Sequence, residues 1–311
     1  MAKVAFVFPG QGSQAVGMGR AWVDAFECSR AVFAAADEAL GFELSTLCWR
    51  GPESELQLTA NTQPAILTAS VAMHRAVAET GHQPVVMAGH SLGEYSALVA
   101  AGVLDFTDAV RLVRRRGELM QKAVPVGEGA MAAILGLDAA TVATITDEAS
   151  ADGVCTVANL NSPVQTVIAG SAAGVARALE LATAAGARRV VPLAVSAPFH
   201  SPLMAPAREG LEPHLESTEF RDHTVPVVTN IDARPAESGA AARDALARQI
   251  DGPVRWVESV EWMVEEGGVE AFVEVGPGAV LKGLIRRIAR GVLVINVAEP
   301  VDLNQFAELG G

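Results

Sequence analysis

Short apolar runs alternate along the chain with longer stretches that are rich in Ala, Leu and Glu. The short runs suit buried strands and the longer stretches suit helices, so the alternation predicts an α/β fold with a mostly parallel sheet. The tail from Glu299 onward is expected to be a surface helix or a frayed end. The best strand candidates are Val4 to Phe8, Val85 to Ala88, Val225 to Thr229, Ala271 to Val275 and Val292 to Val297.

The segment between Ala130 and Val195 has a different rhythm, in the order strand, helix, strand, strand, helix, strand. This order predicts a small inserted ferredoxin-like subdomain at residues 128–196. Residues 1–127 and 197–311 then form a large α/β-hydrolase-like lobe, and the cleft between two such lobes is a common place for a ligand site. The elements of the small subdomain are Met131 to Leu135, Ala139 to Ala149, Cys155 to Asn159, Gln165 to Ala169, Ala172 to Ala184 and Val190 to Val195.

Composition narrows the class of protein. Half of the 311 residues are hydrophobic, which allows a large core. The 23 basic and 36 acidic residues give a net charge of −13, which disfavours nonspecific attraction to nucleic acid or anionic membranes. No apolar run has the length of a membrane span or signal-peptide core, and Cys28, Cys48 and Cys155 lack metal-type or redox spacing. The expectation is a cytoplasmic protein with buried free thiols.

The strongest chemical signal is the run Gly89-His90-Ser91-Leu92-Gly93. It follows the strand candidate Val85 to Ala88 and precedes a helical stretch from Glu94 to Ala101. A G-x-S-x-G run in this setting is typical of a nucleophile elbow, in which a sharp turn projects the serine hydroxyl. The setting favours a catalytic Ser91 over a simple glycine-bounded turn.

A serine nucleophile needs a neighbouring base, which is usually a histidine. His90 is next to Ser91, but adjacent side chains at a tight turn usually point apart, so we expect it to have a packing role. His200 lies in the loop from Ser196 to Pro202, where the chain returns to the large lobe. Its position leaves a catalytic base and a packed loop histidine equally open. Ordinary surface or core positions are expected for His74, His82, His214 and His223.

The helix predicted from Thr107 to Met120 places Arg116 on its buried face. An unpaired buried charge is very costly, so Arg116 needs an anionic partner. That partner is either an internal Asp or Glu or a carboxylate on the substrate, which suits the fork of a guanidinium. Beside a serine elbow, the second alternative predicts an acyl-transfer enzyme for a carboxylated acyl group.

The run Gly10-Gln11-Gly12-Ser13-Gln14 follows the first strand candidate. Its glycines permit a backbone nest that binds an anion, and phosphate binding is one interpretation. In a serine acyltransferase, the run more naturally supplies one oxyanion-hole N–H group. Leu92, the residue after the nucleophile, then supplies the other.

These runs belong to an ordered set that resembles the malonyl-CoA:acyl carrier protein transacylases over nearly the whole chain. The other members of the set are Arg116-Gly117, Pro198-Phe199-His200, Arg248-Gln249 and Glu274-Val275-Gly276-Pro277-Gly278. For the last of these, a simple turn is the favoured interpretation. The resemblance implies these roles: Ser91 as nucleophile, His200 as base, Arg116 as carboxylate clamp, the N–H groups of Gln11 and Leu92 as oxyanion hole, the main-chain carbonyl of Gln249 as histidine-orienting group, and Gln63 and Asn230 as polar lining.

The implied reaction moves malonyl from malonyl-CoA to the phosphopantetheine thiol of acyl carrier protein. It proceeds by a ping-pong scheme through a malonyl-serine, in fatty acid or polyketide synthesis, and no metal or redox cofactor is expected. Because an acidic chain must then meet an acidic carrier, Arg188-Arg189 and the group Arg286, Arg287 and Arg290 are candidate docking patches. A solvated helix face is the commoner meaning of such clusters.

Three alternatives to this reaction remain open. A serine hydrolase, such as a lipase or thioesterase, uses the same elbow and base and releases free acid. A polyketide-pathway acyltransferase loads a different acyl unit, although Phe199 resembles the malonyl-selective versions. A nonenzymatic scaffold is disfavoured, because Ser91, His200 and Arg116 are all present.

Overall fold

The computed structural model describes residues 2–195 and 197–309. It contains a parallel sheet and a separate antiparallel sheet with helices packed around them, so the α/β class expected from the alternating pattern is confirmed. Ser196, at the predicted end of the small subdomain, lies outside the described residues, as do Met1, Gly310 and Gly311.

The strands and helices are numbered in chain order. The strands are β1 (Val4–Phe8), β2 (Val86–Gly89), β3 (Gly129–Leu135), β4 (Cys155–Ser162), β5 (Gln165–Ser171), β6 (Arg189–Pro192), β7 (Val227–Val228), β8 (Ala271–Val275) and β9 (Leu293–Val297). The helices are α1 (Arg20–Ala25), α2 (Glu27–Leu40), α3 (Leu44–Arg50), α4 (Glu53–Leu56), α5 (Thr59–Ala78), α6 (Leu92–Ala100), α7 (Phe106–Lys122), α8 (Ala139–Ala149), α9 (Ala172–Ala184), α10 (Ala205–Ser217), α11 (Gly239–Gln249), α12 (Trp256–Glu265) and α13 (Val280–Ile288).

The larger sheet has five parallel strands in the order β7-β2-β1-β8-β9. Alternate residues of β1 enter different cores: Phe6 and Phe8 pack with the helices early in the chain, whereas Ala5 and Val7 pack with α12 and α13. Because both faces are covered, the strands read as continuous apolar runs without alternation. The carboxyl ends of β1, β2 and β7 meet at one edge of this sheet.

The smaller sheet has four antiparallel strands in the order β4-β5-β3-β6. Along β3, Ala132 and Ile134 pack with α8 and α9, whereas Met131 and Ala133 pack into the large core. A backbone hydrogen bond also joins the helices around the large sheet to the small sheet. The N–H of Val254, before α12, donates to the carbonyl oxygen of Ala158 in β4 at 2.8 Å. This arrangement places one face of the small sheet over the carboxyl edge of the large one.

Two strands are shorter than the sequence predicts by two residues or more. In β7, Pro226 has no N–H to give to a ladder, and the Thr229 N–H turns to the carbonyl of Arg234 at 2.9 Å. The predicted strand Val190 to Val195 ends at Pro192, although Leu193 still donates to Met131 at 2.9 Å. Beyond that bond the chain leaves the sheet, and its next residues lie against the cavity over Ser91.

The tail forms a helix at the surface, as expected, with an apolar side that is buried. Pro300–Leu309 is a 3₁₀ helix, and Phe306 within it is buried. Its ring lies 6.5 Å from that of Phe6 and 4.7 Å from that of His82. The tail therefore seals one end of the large core, because the apolar side of the helix has core residues to cover.

Helices α5 and α7 cross in close contact, and this crossing positions Arg116. Asp105 caps α7 by accepting from the Thr107 N–H at 2.8 Å. A Cβ added at Gly117 would lie 2.6 Å from the carbonyl oxygen of Thr59, so only glycine allows the two helices to approach this closely. This close approach brings Arg116, the preceding residue, into contact with α5.

Candidate active site

Ser91 lies in the turn between β2 and α6, at the carboxyl edge of the parallel sheet. Its backbone has φ 50° and ψ −106°, a conformation that residues other than glycine rarely adopt. A Cβ added at Gly89 would lie 2.0 Å from the Gly93 carbonyl, and one added at Gly93 would lie 2.0 Å from the carbonyl oxygen of Phe8. Glycine is therefore required on both sides of a sharp turn that projects the serine hydroxyl.

His200 lies in the loop that returns from the small sheet, just before the 3₁₀ turn Pro202–Met204. It is buried, and its φ of 59° is unusual for a residue with a side chain. Pro198 in the same loop packs closely on the start of β3, so that a Cβ at Gly129 would lie 2.4 Å from the proline ring. This packing holds the loop beside the elbow.

The structure brings Ser91 and His200 into hydrogen-bond contact, with 2.7 Å between Oγ and Nε2. The other ring nitrogen, Nδ1, lies 2.8 Å from the main-chain oxygen of Gln249. Because a carbonyl only accepts, Nδ1 carries the proton and Nε2 is left to accept from the serine. Burial, reinforced by the positive charge of Arg116, lowers the pKa of His200 to about 3. The imidazole is therefore neutral at physiological pH.

Arg116 is 1% exposed and is held by neutral oxygens. Its guanidinium donates to Oε1 of Gln63 at 2.9 Å, to Oε1 of Gln249 at 2.9 Å and to Oγ of Ser91 at 3.2 Å. The ring of Tyr95 lies 5.6 Å away. Within the described chain no carboxylate forms an ion pair with Arg116, so the internal Asp or Glu expected under one alternative is not present. The buried positive charge faces the serine.

The side chains of Gln249 and Asn230 brace the elbow from behind. The Gln249 amide nitrogen donates to the main-chain oxygen of Ser91 at 3.1 Å. Asn230 accepts from the Ser91 N–H at 2.6 Å and donates to the carbonyl of Gly89 at 2.6 Å. Asn230 was expected to line the site, but it is fully buried beneath the turn and is not among the cavity-lining residues. Its contacts fix the backbone of the nucleophile.

Glu94 completes this network, and sequence reasoning missed it. It is fully buried in the first turn of α6, and Oε2 accepts from the Asn230 N–H at 2.9 Å and from the Gln249 amide at 2.7 Å. Burial raises the pKa of Glu94 to about 7, although both hydrogen bonds and the charge of Arg116 act to lower it. A signal was present in the sequence, because Glu94 is the one charged residue in the apolar stretch Leu92 to Ala101.

A cavity of about 130 Å³ lies directly over Ser91. We call the residues below it the floor and those above it the roof. The floor comprises Gln11, Gln63, His90, Ser91, Leu92, Arg116, Met120, Phe199 and His200, and the roof, from the segment that carries the small sheet, comprises Met131, Asn159, Leu193 and Val195. The floor is charged and hydrogen-bonded, whereas the roof is mostly apolar. A short acyl group fits between them.

Gln11 and Leu92 both line the cavity, each just beyond the carboxyl end of a strand. Because β1 and β2 are adjacent and parallel, these two positions meet at the same sheet edge. Leu92 is the first residue of α6, where N–H groups lack an intrahelical acceptor and the helix dipole is positive. The Gln11 side chain is anchored on Thr59, with 3.4 Å between Nε2 and Oγ1. The backbones of Gln11 and Leu92 therefore lie beside Ser91 at the edge of one cavity.

His90, His74 and the Glu274 turn have structural contacts. His90 points toward the small sheet, where it donates to Asn161 at 2.8 Å and lies 5.7 Å from the Trp256 ring. His74 packs against Phe6 and Phe8, and burial lowers its pKa to about 4. Glu274 accepts from the N–H groups of Leu281 and Lys282 at 3.0 and 2.7 Å, so it caps α13.

The structure places two of the predicted docking arginines together. Arg188 and Arg287 line a second cavity of about 230 Å³ between the small sheet and α13. Ser162, whose buried hydroxyl has no partner among the described residues, lines the same cavity. One arginine from each predicted patch, Arg188 and Arg287, therefore lines the same cavity.

Groups that hold metals or thiol pairs are not found in the part of the chain the structure describes. No cluster of three or more His, Cys, Asp or Glu residues is arranged for a metal ion there. Cys48 and Cys155 are buried and Cys28 is partly buried, all as free thiols. Across residues 2–195 and 197–309, no helix is both long and apolar enough to cross a membrane.

The fold and the site define a serine acyltransferase class: a strained serine elbow, a neutral histidine and a buried arginine share one small cavity. Comparison with known proteins supports that class. Residues 5–303 match the acyl transferase domain family, and the chain belongs to that family.

Relatives within the family are similar over their whole length. The malonyl CoA-acyl carrier protein transacylase of Escherichia coli (strain K12) is 50% identical over 310 residues, which cover 99% of this chain and 100% of the relative. The solved malonyl CoA-acyl carrier protein transacylase of Coxiella burnetii is 43% identical with a TM-score of 0.96, covering 99% of this chain and 98% of that one. A solved malonyl-transacylase in complex with its type II polyketide synthase acyl-carrier protein is 47% identical with a TM-score of 0.96, covering 99% of each chain.

Proposed function

We propose that this protein transfers malonyl from malonyl-CoA to the phosphopantetheine thiol of an acyl carrier protein. The observation that carries the proposal is the convergence of Ser91, His200 and Arg116, which are remote in the chain, on one cavity. A serine and a neutral histidine suit acyl transfer, and a buried guanidinium without a carboxylate partner suits a dicarboxylic half-thioester. The relatives named as malonyl transacylases support the same substrate.

In the first half-reaction, Ser91 Oγ attacks the thioester carbonyl and its proton passes to Nε2 of His200. The N–H groups of Gln11 and Leu92 stabilise the negative charge that develops on the carbonyl oxygen. The carbon–sulfur bond then breaks, and the proton on His200 passes to the departing coenzyme A sulfur. The product is malonyl-Ser91.

In the second half-reaction, the carrier's phosphopantetheine thiol loses its proton to Nε2 of His200 and attacks the malonyl-serine ester. The carbon–oxygen bond breaks, and His200 returns the proton to Ser91. The Gln249 carbonyl keeps the imidazole in the Nδ1–H tautomer throughout. Arg116 also donates to Ser91 Oγ, so it favours a developing serine alkoxide in the free enzyme.

Arg116 is the proposed source of selectivity. A malonyl carboxylate gives the buried guanidinium an anionic partner, whereas an acetyl group leaves it without one. Leaving a buried charged donor unpaired costs roughly 1–3 kcal/mol or more. Gln63 positions Arg116 from α5, and the apolar roof residues limit access of water to the ester.

The architecture is proposed to be an α/β-hydrolase-like lobe, residues 1–127 and 197–311, with a ferredoxin-like subdomain inserted at 128–196. The strand order β4-β5-β3-β6 around two helices supports the second assignment. No metal or redox cofactor takes part in the proposed steps, because they involve only proton transfer and acyl exchange. The cytoplasmic location stays a prediction.

The carrier protein is proposed to dock on the basic surface around Arg188 and Arg287. The cavity between them offers two cations and a free hydroxyl to an anionic group. β3 supports this placement, since it carries Met131 of the roof near its start and Leu135 of the second cavity at its end. Four residues of strand span roughly 13 Å, within reach of an extended prosthetic arm.

A thiol-acceptor assay tests the proposal against its competitors. We expect malonyl-CoA and holo carrier protein to give malonyl-carrier at a rate far above release of free malonate. A serine hydrolase would release malonate at a comparable rate, and an acyltransferase for another unit would prefer a different acyl-CoA in a mixture. Either result overturns the proposed function.

A further inference from the structure

Glu94 is a fully buried carboxylate that the proposed chemical steps do not use. It touches neither the cavity nor the reacting atoms. Its Oε2 accepts two hydrogen bonds, from the Asn230 N–H and the Gln249 amide, while Oε1 has no partner among residues 2–195 and 197–309. Burying a carboxylate is costly, so its presence calls for a role.

The carboxylate determines which way the Gln249 amide points. Oε2 of Glu94 also takes the Asn230 N–H and therefore acts as an acceptor. The amide nitrogen of Gln249 accordingly faces it at 2.7 Å and faces the Ser91 carbonyl oxygen at 3.1 Å. The amide oxygen must then face the opposite way, toward Arg116, which donates to it at 2.9 Å. A flipped amide would set its NH₂ group against the guanidinium, and two donors cannot bond. Glu94, the nearer of the two acceptors, thus helps to fix Oε1 of Gln249 as an acceptor for Arg116.

The chain of contacts from Glu94 through Gln249 to Arg116, which we call the relay, also brings a negative charge near Arg116. It does so without occupying the position of the malonyl carboxylate. Arg116 is buried and has only neutral oxygens as hydrogen-bond partners in the described chain. Glu94 lies one amide away, and the electrostatic influence of each group favours the charged form of the other. A carboxylate in direct contact with Arg116 would compete with the malonyl carboxylate, whereas one behind Gln249 does not.

We propose that Glu94 is a positioning residue that sets selectivity for carboxylated acyl groups by holding the Gln249 amide, and through it the Arg116 guanidinium, in the orientation that receives the substrate. The proposal rests on the proposed function. It assigns to Glu94 no contact with substrate and no proton transfer.

The test compares Glu94→Gln with Glu274→Gln. Both glutamates are fully buried and each accepts two hydrogen bonds, but Glu274 caps α13 and lies outside the cavity. Rates of Ser91 acylation by malonyl-CoA and acetyl-CoA are measured for each variant, with thermal unfolding as a check on folding. We expect Glu94→Gln to lower the malonyl-to-acetyl ratio of kcat/KM about tenfold, mainly through a higher KM for malonyl-CoA, because the variant loses the negative charge behind Gln249 and gains an NH₂ group that can turn toward the Gln249 amide. Glu274→Gln should leave the ratio unchanged.

A double-mutant cycle separates this role from a merely structural one. In an Arg116→Ala background, Glu94→Gln should not change the ratio further, because the target of the relay is gone. If Glu94→Gln does not fold, Gln249→Leu breaks the same relay, and it must give the same loss of malonyl preference.

Two results would overturn the proposal. The first is an unchanged malonyl-to-acetyl ratio in folded Glu94→Gln, or in Gln249→Leu where that variant replaces it. The second is that Glu94→Gln lowers the ratio as much in the Arg116→Ala background as in the unaltered protein. These outcomes differ from failure of the proposed function. In that case the unaltered protein itself would not be acylated at Ser91 by malonyl-CoA.

Discussion

The floor and the roof of the cavity are built on different principles. Most floor residues stand at the carboxyl ends of parallel strands or on helices that cross closely, Phe199 and His200 come from the loop after β6, and hydrogen bonds hold Ser91 from behind. Roof residues come from the face of an antiparallel sheet and from the irregular chain after β6, and three of the four are apolar. The difference assigns chemistry to the floor, and enclosure and exclusion of water to the roof.

The floor also shows how a buried charge is tolerated. Arg114 and Arg115 on the outer side of α7 form ion pairs with Glu118, whereas Arg116 on the inner side is held by amide oxygens. Outer pairs of this kind contribute little to stability. A buried guanidinium that lacks a direct carboxylate is destabilising unless a ligand supplies one, so the floor is arranged for substrate and not for stability.

The largest expected effect comes from replacing the base. His200→Gln should lower the rate of Ser91 acylation about 10²–10⁴-fold, because the hydroxyl loses its proton acceptor. Stopped-flow or quenched-flow measurement of acylation checks this. His90→Gln is the matched control, since His90 is adjacent to Ser91 but bonds to Asn161. An equal loss in the control would remove the distinction between the two histidines.

The next effect concerns the carboxylate clamp. Arg116→Ala should lower kcat/KM for malonyl-CoA about 10–100-fold and leave that for acetyl-CoA much less affected, because only malonyl offers an anion to the guanidinium. Competition between the two acyl-CoA substrates gives the ratio directly. Arg115→Ala, on the outer side of the same helix, should keep the original preference. An unchanged ratio in Arg116→Ala would contradict the assignment.

The buried histidine of the floor should also appear in the pH dependence of stability. The pKa of His200 is about 3 in the folded protein against an ordinary value of 6.5, so the unfolded chain binds the extra proton between these values. Stability from this group is therefore lost as pH falls below 6.5. Relative to His200→Gln, the unaltered protein should lose about 2 kcal/mol between pH 7.5 and pH 5 in urea unfolding. If the free energy of unfolding fell equally with pH in the two proteins, a buried neutral His200 would be contradicted.

The smallest effect is expected in the roof. Leu193→Ala opens the apolar side of the cavity, so water should reach the malonyl-serine more easily and its hydrolysis should rise by about a few-fold. Release of malonate from isolated malonyl-enzyme, without an acceptor, measures this. The malonyl-to-acetyl ratio should not change, since the Leu193 side chain has no polar atom to bond the malonyl carboxylate or Arg116. A changed ratio with unchanged hydrolysis would reverse the roles given to roof and floor.

The sequence predicted the parts of the molecule that follow from local pattern. Val4–Phe8 and Ala271–Val275 have the predicted bounds because both strands are buried on both faces and end at clear turn residues. Arg116 was placed on the buried face of α7 from helical periodicity alone. The elbow was recognisable because glycine is required where backbones approach closely.

Other features depend on long-range contacts that no local pattern reveals. His200 reaches Ser91 through a loop whose path is set by the packing of Pro198 on Gly129. Asn230 was expected to face the substrate but lies behind the elbow, because β7 ends beside β2 and sets the amide against the backbone of the nucleophile. Glu94 was missed although the reason that singled out Arg116, the cost of a buried charge, applies to it equally.

The proposed function requires that malonyl-CoA acylate Ser91 to give a covalent malonyl-serine. Mass spectrometry of the intact protein after mixing with malonyl-CoA tests it most directly, with Ser91→Ala as the control. We expect the unaltered protein to gain the mass of one malonyl group and the Ser91→Ala protein to gain none. No mass gain in the unaltered protein, or an equal gain in Ser91→Ala, would contradict it.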